Sequence, residues 1–252
     1  MPTPRKTKAP KAPAKKFGPH EIQKWENFAL PGIDVRLRRA VTTKRRPGVP
    51  KIDPGYIFRG DLVREVSICV WPQDGGEPMP IALSGPKGTG KTTLVEQIAA
   101  HCNIPVYRVN MNVGTSVRHL KGRVGAQNGA TVFVPGIATM AMEHGAWLLL
   151  DEISGVTPPV ALSLFPILEA EGRVLLEDAQ PPRYVKRHED FRVFATDNTL
   201  GAAQEASRFA YSGTNPDMNE ALLDRLTGGI LEVPYLGPES EYRAVVAKVP
   251  AI

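Results

Sequence analysis

The chain has 252 residues, 42% of them hydrophobic and 23% charged, with a formal net charge of +5. That length buries one good core with room for appendages; no apolar run approaches the roughly eighteen residues of a membrane span, and no apolar stretch follows the basic amino terminus as it would in a secretory signal. Five scattered histidines and two cysteines give no zinc-site spacing, so a cytoplasmic protein is expected, with Cys69 and Cys102 as buried thiols of a reducing compartment.

The charge is unevenly spread. Residues 1–50 hold 13 Lys and Arg against 3 Asp and Glu, and the remaining 202 residues hold 18 against 23. The excess of positive charge belongs to the front segment alone. Residues 1–16, MPTPRKTKAPKAPAKK, are Pro, Ala and Lys and build no core. A second basic cluster, Arg36, Arg38, Arg39, Lys44, Arg45 and Arg46, follows a short amphipathic stretch around Trp25 and Phe28. Residues 1–50 are therefore expected to be a basic, largely disordered extension. It is either a solvated leader or a contact for nucleic acid or an acidic partner.

From residue 51 apolar strands alternate with helical segments. Strands are expected at 79–84, 105–110, 147–151, 191–196 and 229–236, and helices at 91–101, 135–144, 158–170 and 217–226. This alternation predicts an α/β fold, a parallel sheet flanked by helices. Right-handed crossovers then gather the strand C-termini on one edge. Two stretches break the alternation and read as inserted hairpins. One is the Gly-rich segment 120–135 with Val124, Val132 and Val134. The other is 172–186, in which Arg173-Val174-Leu175-Leu176 and Arg183-Tyr184-Val185 flank a turn near Asp178-Ala179-Gln180-Pro181-Pro182.

The first strand runs into Gly85-Pro86-Lys87-Gly88-Thr89-Gly90-Lys91-Thr92, with Thr93 opening the helix behind it. The spacing is that of the phosphate-binding loop G-x-x-x-x-G-K-[ST], in the strand–loop–helix setting the motif needs. Glycines let several backbone N–H groups point at one anion, and the helix adds the positive end of its dipole. Residues Gly85 to Thr93 are the expected ATP-binding set. Lys91 would reach the β- and γ-phosphates, and the Thr92 hydroxyl would bind Mg2+.

Farther along, Trp147-Leu148-Leu149-Leu150-Asp151-Glu152 is an apolar strand ending in two carboxylates. Alone, it could be a strand running into a solvated acidic turn. Downstream of a phosphate loop, it points to nucleoside triphosphate hydrolysis. Asp151 is placed to hold Mg2+ directly or through water, and Glu152 to orient and deprotonate the attacking water.

These motifs carry a family resemblance. From about residue 51 to 250 the chain resembles AAA+ P-loop ATPases of the MoxR-related group, and within it most closely the ATPase subunit of aerobic cobaltochelatase. Ile52-Asp53-Pro54-Gly55-Tyr56-Ile57-Phe58 is similar to the family's segment before the first strand, and Arg108-Val109-Asn110 to the end of its second strand. Phe191-Arg192-Val193-Phe194-Ala195-Thr196-Asp197-Asn198-Thr199 resembles its sensor-1 strand. Gly213-Thr214, Asn219 and Leu223-Asp224-Arg225 resemble the segment that ends in its arginine finger.

The resemblance implies roles. Asn198, on a strand expected between those of the two nucleotide motifs, would hydrogen-bond the attacking water or the γ-phosphate; otherwise it is a turn asparagine. Arg225 would face a neighbouring subunit's nucleotide and stabilise charge on the transferring phosphoryl group. Otherwise it caps a helix or pairs with Asp224 or Glu220. Asn110 would restrain Glu152 until a partner engages. The chain departs from the family at Val117-Arg118-His119-Leu120-Lys121-Gly122, where those proteins carry an acidic residue. It also shows only the start of a helical lid at 237–252, in which Arg243 is not the second sensor. Residues 51–236 would be the ATPase core.

Three function classes remain open. One is a homo-oligomeric, hexameric ring that hydrolyses ATP between subunits and moves a partner protein, with the inserted hairpins as moving contacts. Another is a nucleic-acid-associated ATPase anchored by residues 1–50, although the acidic body offers no basic channel and no base-stacking array. The last is a nucleotide-binding adapter with little turnover.

Overall fold

A computed structural model describes residues 20–30, 32–73, 75–127, 129–198, 221–222 and 224–248. Strands β3 (Ile81–Ser84), β4 (Val106–Asn110), β7 (Trp147–Asp151), β10 (Arg192–Asp197) and β11 (Ile230–Glu232) form one parallel sheet, in the order β11-β3-β10-β7-β4. Every residue of β3 and β7 is buried, as strands covered on both faces must be. The sensor-like strand β10 lies between the strands of the two nucleotide motifs, where it was expected.

Side chains of the sheet alternate between two apolar layers. Ile81, Leu83, Trp147, Leu149 and Phe194 face α1 (Gly60–Val70) and α2 (Lys91–Cys102). Ala82, Leu148, Leu150, Val193 and Ala195 face α4 (Ile137–His144) and α5 (Pro158–Leu168). The expected hairpins are both present. Strands β5 (Gly122–Gln127) and β6 (Ala130–Pro135) pair antiparallel, as do β8 (Leu175–Leu176) and β9 (Arg183–Tyr184). The basic departure at 117–122 forms α3 (Val117–Lys121), N-capped by Ser116, whose hydroxyl accepts from the His119 amide.

Two expectations need correction. The strand expected over 229–236 ends at Glu232. The Val233 amide still donates to the Ser84 carbonyl at 2.6 Å, but Pro234 has no N–H to continue the ladder. The front segment is not largely disordered over its described part. Strands β1 (Lys24–Ala29) and β2 (Arg36–Val41) pair antiparallel, and Leu30, Val35, Leu37 and Ala40 are buried. Asn103 at the end of α2 donates to the Ala40 carbonyl and the Thr42 hydroxyl.

The arginines of the second basic cluster make contacts within the chain. Arg38 lies over Trp25 and Arg39 over Phe28; Arg39 also donates to the His101 carbonyl, and Arg46 to that of His144. The Arg38 and Arg39 guanidiniums stack on aromatic rings, and Arg39 and Arg46 tie the front segment to helix ends. Charge counting misses this arrangement. Residues 1–19 lie outside the described residues. So does half of the helix expected at 217–226, together with Gly213, Thr214, Asn219 and Leu223 of the arginine-finger segment. Helix α6 (Pro238–Lys248) follows the sheet, and among the described residues no helix is long and apolar enough to cross a membrane.

Candidate active site

The parallel topology brings Ser84, Asn110, Asp151 and Asp197 to one sheet edge, with Asp197 in register with Ser84 and Asn110 with Asp151. This is the edge at which ligands of such sheets collect.

The loop between β3 and α2 needs glycine at two positions. Gly85 has φ +149°, and a Cβ there would sit 2.3 Å from the Val233 carbonyl oxygen. Gly90, at the N-cap of α2, has φ +84°, in the left-handed region. Lys91 opens the helix and folds back over the loop. Its ammonium donates to the carbonyls of Gly85 at 2.7 Å and Pro86 at 2.9 Å, and to Asn198 Oδ1 at 3.0 Å. Burial pulls its pKa below the ordinary lysine value, against the opposing pull of Asp197, Asp151 and Glu152.

Asp151 is the centre of a second network. Its Oδ1 accepts from the Thr92 hydroxyl at 3.0 Å and from the Thr196 hydroxyl. Its Oδ2 accepts from Arg108 Nε at 3.0 Å and from an Arg108 terminal nitrogen. Burial pushes this carboxyl up, but the bonds from Thr196, Thr92 and Arg108 outweigh burial and hold it below the usual carboxylate value. Sequence reading did not find the roles of Arg108 and Thr196. Both act across strand pairs, and the register that sets them is not written in either segment.

Glu152 follows at φ +60° and ψ +50°. A left-handed backbone is uncommon for a residue with a Cβ and stores strain of about 1–3 kcal/mol. The turn is held because the Glu152 amide donates to the Thr196 hydroxyl and the Ser154 amide to Asp197 Oδ2. The Glu152 side chain is exposed.

One cleft of about 270 Å³ is lined by Lys87, Lys91, Thr92, Asp151, Glu152 and Asn198, among others. A neighbouring groove of about 280 Å³ shares Gly88, Gly90 and Thr93 with it and extends to Tyr56, Ile57, Tyr235 and Leu236. Polar contacts fix the groove walls. The Asp53 amide donates to Gln97 Oε1, Gln97 Nε2 to the Lys51 carbonyl, Arg59 to the Pro234 carbonyl and the Tyr235 hydroxyl to the Lys87 carbonyl. Burial raises the Tyr56 phenol to about 12, so it stays neutral. The two spaces together suit a polyanion on the loop and a flat apolar group beside it.

Thr92 and Asp151 present oxygen donors at hydrogen-bond distance from each other, a fit for a hard cation such as Mg2+. Among the described residues no group of three or more His, Cys, Asp or Glu could hold a metal. A cation at Thr92 and Asp151 would therefore take its remaining ligands from phosphate and water.

Arg225 stands apart from this cleft. Its Nε donates to Glu169 Oε1 at 3.0 Å, another nitrogen donates to the Ala221 carbonyl, and the guanidinium lies 3.8 Å over the Phe165 ring. Its ion-pair partner among the described residues is thus Glu169 rather than Asp224, while Glu220 lies outside the described residues. Asn110 is brought into register beside Asp151, one residue from Glu152.

The sequence pattern of the AAA domain (dynein-related subfamily) matches residues 80–226. The aerobic cobaltochelatase subunit CobS of Sinorhizobium sp is 34% identical over 222 residues, covering 86% of this chain and 64% of that protein. The gas vesicle ATPase GvpN of Haloferax mediterranei is 27% identical over 242 residues, covering 85% of this chain and 65% of that one. The chain thus spans less than two thirds of either relative. Among solved structures, the closed state of Hsp104 with ATPγS and casein superposes on 74% of the chain and 35% of that protein, with a TM-score of 0.54 and 19% identity. That likeness concerns the fold.

Proposed function

The chain belongs to the AAA domain family, dynein-related subfamily, and from this premise we propose that it is an Mg–ATP-dependent ATPase subunit of a ring that drives a partner protein. One observation carries the reading. Lys91, Thr92, Asp151, Glu152 and Asn198 line a single cleft on the phosphate-loop edge of the sheet.

The chemistry follows from the side chains. Triphosphate enters the loop, and Lys91 exchanges the Gly85 and Pro86 carbonyls for phosphate oxygens. Loop amides and the dipole of α2 add to the attraction. The adenine lies in the groove by Tyr56, Ile57 and Leu236. Thr92 and Asp151 would hold Mg2+, and the ion would supply positive charge against that developing on the phosphates. Glu152 accepts a proton from the attacking water, and Asn198 orients that water or the γ-phosphate. Arg225 acts on the nucleotide of a neighbouring copy after its guanidinium leaves Glu169.

The two relatives above carry names from a cobaltochelatase and from gas vesicles, so similar ATPase bodies serve different assemblies. We propose the β5–β6 and β8–β9 hairpins as the client contacts. The test is ATP hydrolysis by the purified chain with Mg2+, repeated with Lys91→Ala. Turnover that survives the substitution would place the reaction elsewhere.

A further inference from the structure

Arg108 is an unexpected neighbour for a carboxylate that is to hold a divalent cation. It sits on β4, the edge strand beside β7, and brings two donors to one oxygen, Asp151 Oδ2. The orientation of Asp151 does not depend on it. The hydroxyls of Thr92 and Thr196 already bind the other oxygen, Oδ1. What Arg108 adds is a positive charge, at the oxygen left for the water shell of a metal.

A second acid lies within its reach. Arg108 is 3.6 Å from Glu96 Oε1 through its remaining terminal nitrogen. Glu96 stands on α2 one helical turn after Thr92, so both project from the same side of that helix. The Arg108 side chain is about half exposed, against 11% for Asp151. It therefore has room to move, whereas the carboxylate does not.

Resting on the nucleotide reading above, we propose that Arg108 is a resident counter-ion that competes with Mg2+ for Asp151 and passes to Glu96 when Mg–ATP binds. Like charges at this separation repel, and a hard cation keeps several waters that need acceptor oxygens. The guanidinium holds the carboxylate compensated until the metal arrives. Glu96 then receives it one helical turn from Thr92. The exchange raises the Mg2+ concentration needed for tight nucleotide binding and makes metal and nucleotide bind together.

The test is an equilibrium titration on the full chain. A fluorescent, slowly hydrolysed ATP analogue is the probe, and Mg2+ is varied at fixed analogue. Arg108→Gln is expected to move the Mg2+ midpoint about tenfold lower, the size typical of groups that act through a metal ligand. Glu96→Gln is expected to move it higher, because Arg108 loses its second partner. An unchanged or raised midpoint in Arg108→Gln overturns the exchange and leaves Arg108 as a structural ion pair of Asp151. If Arg108→Gln does not fold, Glu96→Gln decides: a higher midpoint supports the exchange, and an unchanged or lower one contradicts it. Wild-type protein that binds no analogue at any Mg2+ concentration overturns the nucleotide reading and the exchange with it. Binding wild type with an unmoved Arg108→Gln midpoint overturns the exchange alone.

Discussion

The Lys91 ammonium donates a hydrogen bond to the Asn198 side-chain oxygen at 3.0 Å, joining residues 107 positions apart in sequence. One belongs to the phosphate loop and the other directly follows the strand beside it. Their contact ties the group expected to bind phosphate to the group expected to report on it. A ligand that takes the Lys91 donors frees Asn198 to meet the same phosphate or a water next to it.

Lys91 spends its donors on two loop carbonyls and Asn198. Charge-assisted hydrogen bonds contribute about 1.5–3 kcal/mol each. Lys91→Ala is expected to weaken ATP binding by about 100-fold or more on that scale. Calorimetric titration checks it. Unchanged affinity would mean that the loop is not the phosphate site.

Glu152 combines a catalytic assignment with a strained backbone at φ +60°. Glu152→Gln is expected to retain ATP and lower turnover by about 10²–10⁴, the usual contribution of a general base. Wild-type turnover in that variant would remove Glu152 from its role. Glu152→Gly relieves the left-handed strain, so it should be more stable than Glu152→Ala by about 1 kcal/mol. Equal denaturation midpoints would show that the turn stores no such strain.

Gly85 lies against the Val233 carbonyl, which a Cβ would approach to 2.3 Å. Gly85→Ala must push β11 away from β3 or distort the loop. A loss of about 1–3 kcal/mol is expected from such overpacking, together with weaker nucleotide binding. Thermal unfolding and a binding titration measure the two effects. A stable variant with full affinity would contradict the close approach.

Arg225 contacts Glu169, Ala221 and Phe165 in its own chain and does not line the cleft. If it serves a neighbouring copy, Arg225→Ala should lower turnover by about three decades or more, as for other arginine fingers. Mixing it with Glu152→Gln should restore part of the activity, because some mixed interfaces pair an intact base with an intact finger. Mixed assemblies that form and show no recovery would argue against action between subunits.

Much of this site is legible in the sequence because its key elements are local. The loop from Gly85 to Thr92 is a fixed spacing, and Trp147 to Asp151 is a short apolar run that ends in acid. Both keep their expected positions. What is not legible depends on strand register. Arg108 meets Asp151 from 43 residues away, and Thr196 meets it from 45. The front hairpin is hidden for another reason. Charge counts treat arginine as solvated, whereas Arg38 and Arg39 lie over aromatic rings. Strand β11 is shortened by Pro234, which pattern alone absorbs into an apolar run.

The central claim is that this chain hydrolyses ATP at a site completed by a second copy. The most direct measurement is ATP turnover against protein concentration, with molecular mass determined in parallel with and without nucleotide. The account predicts that specific activity rises as an assembled ring appears. Turnover independent of concentration in a monomer, or ATP binding without turnover at any concentration, would contradict it.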